Sequence, residues 1–162
     1  MREHNVFREG FIAGVIGATS VALWFLFVDL VAAHPFYTPE VLGRSLLSVL
    51  GPDRGDSTMM VVSIYTMFHY AAFVLSGIIA TAIIHAGRQQ AAVLAGALIL
   101  FVAFELGFYG LTALLSESAL GSLAWYQIGA ANLIATLLMG AYLWRIHPSL
   151  GRRLDFALGG RE

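Results

Sequence analysis

Three side chains with the means to do chemistry stand inside otherwise apolar runs: His69 in MFHYAAF, Glu105 in LFVAFELGFYG and Asn132 in GAANLIA. A carboxyl group and an imidazole can share or exchange a proton, and an amide can orient either of them. Tyr65 stands four residues before His69 and Tyr109 four after Glu105, which on a helix adds a hydroxyl to each face. Asp29 and Gln127 are two further polar groups in apolar surroundings. The chemistry open to this set is proton transfer, hydrogen bonding between helices, or polar contact to an apolar ligand.

Other chemistries are disfavoured. With no cysteine there is no thiolate ligand, disulfide or thiol nucleophile. No Glu is followed by His three residues on, as carboxylate-bridged di-iron bundles require, and no G-x-S-x-G elbow occurs. His69 and His85 are 16 residues apart, roughly 24 Å along one helix, too far to share a haem. We therefore expect neither a catalytic set nor a metal site. Haem or a quinone is retained only as the ligand of an apolar pocket.

These residues need a frame to hold them. The chain has 162 residues, of which 59% are hydrophobic and 12% charged, with a mean hydropathy of +0.79. That is too apolar for a soluble domain of this length and implies an all-α integral membrane protein. A formal net charge of −1 offers no field to recruit nucleic acid. Four apolar runs, at about 11–33, 59–85, 91–115 and 123–144, are each long enough to cross a ~30 Å hydrocarbon core as a helix. The first exceeds the apolar core of a signal peptide and contains Asp29, so it reads as a span. Its Gly10, Gly14 and Gly17 have the small-residue spacing that lets helix backbones approach closely.

Between the first two spans, Thr38 with Pro39 signals a helix start and Gly51-Pro52 a stop, giving a short interfacial helix at about 39–50. The expected architecture is a single domain, a four-helix transmembrane bundle with this short helix in its first outer loop and a tail at 146–162. Seven of the nine arginines fall on one side and two, Arg44 and Arg54, on the other, which puts both termini in the cytoplasm, most simply of a bacterial inner membrane.

Counting from the outer ends of the helices places His69, Glu105 and Asn132 all roughly 15 Å deep, with Asp29 and Gln127 at roughly 7 Å. A His69–Glu105 contact, with Asn132, Tyr65 and Tyr109 around it, is the expected polar cluster. The plainer reading makes Asp29 a cap and Asn132 and Gln127 hydrogen-bond glue between helices. The tryptophans then face lipid or the interface.

Small size and the lack of a complete catalytic or ligand set favour a non-catalytic accessory subunit, associating with itself or with other membrane subunits. The alternatives are a proton-coupled transporter or channel working through Glu105 and His69, and a quinone- or haem-binding membrane protein.

Overall fold

The computed structural model describes residues 5–50, 55–86 and 125–148. Among these the chain is all-helical, with α1 at Val6–Val31, α2 at Tyr37–Leu50, α3 at Thr58–Ala86 and α4 at Trp125–Ile146. Three of the four, α1, α3 and α4, are long and apolar enough to cross a membrane. The apolar run 91–115 and the tail beyond 148 lie outside the described residues.

Helix α1 begins five residues before the apolar run, because Asn5 caps it: its side chain accepts from the Phe7 and Arg8 amides at 3.0 and 3.3 Å. Glu9 thereby falls in the first turn, where a carboxylate is favoured by the helix dipole. At the far end the chain turns through Ala33 (φ 59°) and Phe36 (φ 67°), both in the left-handed region. The turn is tied back by His34 N–H to Asp29 O at 2.9 Å. Helix α2 then starts at Tyr37, so Thr38 lies within its first turn instead of capping it.

Glycines set how α1 meets α3. A Cβ on Gly10 would lie 2.7 Å from Ile78 N and 2.9 Å from Gly77 O, and one on Gly14 would lie 2.7 Å from Val74 N. Four residues forward along α1 match four residues back along α3, so the two helices run antiparallel with backbones in contact. Gly17 continues the same face, where a Cβ would be 2.8 Å from Phe73 Cδ1 and would also meet the thioether of Met139 on α4.

Helix α4 packs on α1 in the same sense. Glu9 meets His147 at one end, Gly17 meets Met139, and Val21 and Phe25 pack with Ala131 and Ala135 further along. Helix α1 is thus flanked by α3 and α4, both antiparallel to it. Its buried residues are mostly small: Gly10, Ala13, Gly14, Gly17 and Ala18, followed by Val21 and Phe25. Close backbone approach, not bulky apolar burial, holds this arrangement, which suits helices whose surroundings are as apolar as their side chains.

Helix α2 lies across the start of α3. A Cβ on Gly43 would be 2.6 Å from Val61 Cγ1, and Val61 is 1% exposed. Glu40 Oε1 accepts from Arg44 Nη2 at 2.8 Å, Arg44 Nε at 3.1 Å and the Thr58 hydroxyl at 2.9 Å, pinning α2 to the first residue of α3. Ser57 caps α3, its Oγ accepting from Met60 N at 3.4 Å.

Candidate functional site

The polar residues of the described spans gather at two levels of α1. The first level, toward the end of α1, surrounds a cavity of about 190 Å³ between α1, α2 and α3, walled by Phe25, Leu26, Val62, Tyr65, His69 and Tyr70 among others, with Asp29 and Thr38 also lining it. Asp29 is 3% exposed. Its two carboxylate oxygens accept from the Thr38 amide at 2.9 Å and the Thr38 hydroxyl at 2.7 Å. A carboxylate with two short donors is satisfied where it stands, and here it joins α1 to α2.

His69 is placed on α3 opposite Ala18 of α1, its Nε2 3.0 Å from the Ala18 carbonyl. A carbonyl only accepts, so Nε2 carries the hydrogen of this bond. The ring stacks on Tyr65 at 5.8 Å and leans on Phe73 at 4.8 Å. Next to it Tyr70 shares a 3.0 Å hydrogen bond with Thr19 of α1. These are bonds between helices, each joining α3 to α1.

Glu105 and Tyr109 lie outside the described residues, so the expected His69–Glu105 contact has no geometry here. Asn132 and Gln127 are half-buried on α4. With Gly17 opposite Met139, the antiparallel register sets Asn132 near Trp24, whereas His69 is at Ala18; that separation is roughly 9 Å along the helix axis. Trp24 itself packs against the Val21, Phe25, Ala131 and Ala135 cluster, inside the helix contacts and not out toward lipid. Trp144, 51% exposed, does face outward.

The second level lies at the end where α1 begins and holds residues that the sequence does not single out. Glu9 at the start of α1, His85 at the end of α3 and His147 just beyond α4 converge on one another. Both imidazole Nε2 atoms approach the same carboxylate oxygen, Glu9 Oε2, at 3.2 Å from His85 and 3.0 Å from His147. The two rings meet edge to face at 5.1 Å. The side chains are 12%, 18% and 3% exposed for Glu9, His85 and His147. No local spacing signals this triad, since its members are 76 and 138 positions from Glu9. The signal available was topological: each lies at or just beyond the same end of its apolar run, with Arg145 beside His147 on the third.

Outside the spans, the Arg44 guanidinium and then the Thr58 hydroxyl hold the Glu40 carboxyl below its ordinary value.

Comparison with protein-family models, with curated proteins and with solved structures finds no match for this chain.

Proposed function

We propose that this chain is a small multi-pass membrane protein, a bundle of four transmembrane helices with both termini in the cytoplasm, serving as a non-catalytic accessory subunit of a larger bacterial inner-membrane assembly. The observation that carries the reading is how the described spans dispose of their polar groups. His69 is bonded to the Ala18 carbonyl, Tyr70 to Thr19 and Asp29 to Thr38, all within the chain. Outward stand Leu23, Phe27, Leu30, Met67, Leu75, Leu133 and Leu137, each more than half exposed. Such a surface suits lipid tails and neighbouring spans, and the groups that might act on a substrate are occupied with holding helices together.

A fourth span at 91–115 is supported by the ends it has to join. Helix α3 finishes beside His147, at the end where α4 also finishes, whereas α4 begins at the opposite end. The run Ala91 to Leu115 is apolar and long enough to make that return. Gly10, Gly14 and Gly17 are already covered by α3 and α4, so association with other subunits uses the larger apolar side chains on the outer flanks.

Gentle extraction from the native host tests this function: the chain is expected in a complex larger than itself, with co-purifying polypeptides. A clean monomer that carries a pH-dependent flux in liposomes, lost in Glu105→Gln, overturns it in favour of the proton-coupled reading.

The cavity favours a second reading, an apolar ring such as a quinone headgroup held between α1, α2 and α3. At about 190 Å³ it falls below the ~300 Å³ at which drug-sized ligand pockets begin, and is too small for haem. A quinone in the organic extract of the purified protein supports it.

A further inference from the structure

We propose that Glu9, His85 and His147 form a binding site for one divalent transition-metal ion of the zinc type, at the end of the helices where α1 begins. Three donor atoms from three helices lie within 4.8 Å of one another: Glu9 Oε2, and a ring nitrogen from each histidine. The two Nε2 atoms stand 3.2 and 3.0 Å from Oε2. With metal–nitrogen and metal–oxygen bonds of about 2.0–2.2 Å, neighbouring ligands of a tetrahedral ion are about 3.3 Å apart; both Glu9–His separations are close to that, and the two imidazole nitrogens, which lie within 4.8 Å of one another, close onto a shared ion by side-chain rotation.

The donor chemistry is specific. Two neutral imidazoles and one carboxylate form a borderline set of nitrogen and oxygen, suited to Zn²⁺ and its first-row neighbours and unsuited to Ca²⁺ or Mg²⁺, which prefer all-oxygen shells. Three protein ligands leave a fourth position for water or a small anion. A surface trio of this kind would mean little, but here His147 is 3% and Glu9 12% exposed. Both rings converge on a single carboxylate oxygen, Glu9 Oε2, so the three donors already point toward one place. Because the ligands come from the first turn of α1 and the last residues of α3 and α4, the ion would clamp the three helix ends together. The site makes no use of the cavity between α1, α2 and α3 or of any partner protein, so it stands or falls separately from the accessory-subunit reading.

The test uses the full chain, purified in detergent without a polyhistidine tag, stripped with a chelator and titrated with Co²⁺. Saturable binding of one equivalent per chain is expected, with the strong visible ligand-field bands of a four-coordinate site, and Zn²⁺ should displace it stoichiometrically. Glu9→Gln and His147→Ala should each weaken binding by at least about 100-fold, the upper range for losing an outer-shell partner alone. His34→Ala, altering an exposed histidine at the opposite end of α1, should leave affinity unchanged. Absence of one-to-one binding by the wild type, or unchanged affinity in both ligand variants, overturns the proposal. If a variant does not fold, X-ray absorption of the Zn²⁺-loaded wild type decides: two imidazole scatterers with oxygen support the site, and an all-oxygen shell overturns it.

Discussion

Asp29, near the end of the first long helix, holds Thr38 of the short second helix by both its amide and its hydroxyl, at 2.9 and 2.7 Å. Both residues are almost wholly buried, at 3% and 2% exposed. The pair fixes the angle at which the chain leaves α1 and lies down along α3, across a turn that includes two non-glycine residues at positive φ.

Removing the acceptor should therefore cost more than removing one donor. Asp29→Ala leaves two buried donors without a partner and is expected to destabilise the protein by ~2–4 kcal/mol. Thr38→Val keeps the amide bond and should cost about half as much. Thermal unfolding of both variants in one detergent, read by circular dichroism, gives the ranking, and equal losses would contradict it.

The glycines on α1 yield an expectation of opposite sign to their helix propensity. Gly→Ala in a helix interior normally stabilises by ~0.5–1 kcal/mol, and Gly140→Ala on α4, with open space at its Cβ among the described residues, should follow that rule. Gly14→Ala would drive a methyl group into the Val74 backbone. It is expected to destabilise by ~1–3 kcal/mol, as overpacking does. Unfolding midpoints of the two variants moving in opposite directions is the outcome that checks the α1–α3 register.

His69→Phe keeps the ring and its stacking on Tyr65 and Phe73 but loses the bond to the Ala18 carbonyl. That carbonyl sits inside α1, where the helix supplies an amide donor of its own, so the loss should be no more than ~0.6–2 kcal/mol. A fully folded His69→Phe protein with a slightly lower midpoint is expected, and complete failure to fold would mean the imidazole has a larger role.

Acid should loosen the attachment of α2. Glu40 has its pKa lowered by Arg44 and Thr58, so its folded value lies below the unfolded one. Its contribution to stability is then fully present above the unfolded pKa and disappears as pH falls through the folded pKa. The difference in unfolding midpoint between wild type and Glu40→Gln is expected to be positive at neutral pH and to shrink toward zero below about pH 4. A difference that does not vary with pH would assign the contact no electrostatic part.

Much of the frame was readable because apolar runs and their breakers act locally. The spans at 11–33, 59–85 and 123–144 correspond to α1, α3 and α4, while the expected stop at Gly51-Pro52 lies outside the described residues. The early start of α1 was missed because Arg8 and Glu9 read as a charged flank, although Asn5 is an effective cap. Asp29 was legible as polar but not as buried, since its partner Thr38 comes from a turn whose direction depends on Ala33 and Phe36 at positive φ, which no residue type there advertises. The Glu9, His85 and His147 triad escaped for a different reason. Polar residues within the apolar runs, such as His69 and Asn132, stand out by contrast with their neighbours, whereas these three sit at helix ends and become neighbours only once three helices are aligned.

That alignment has a bearing on synthesis. Helix α1 leaves the ribosome before α3 and α4, yet one of its flanks is filled by α4, and Glu9 meets His147 138 positions later in the chain. A nascent protein halted before that point would hold α1 with its Gly17, Val21 and Phe25 flank uncovered by α4 and Glu9 without its His147 contact. Of the three long helices, the first to be made is accordingly the last to be fully packed, and synthesis of α4 completes its surroundings.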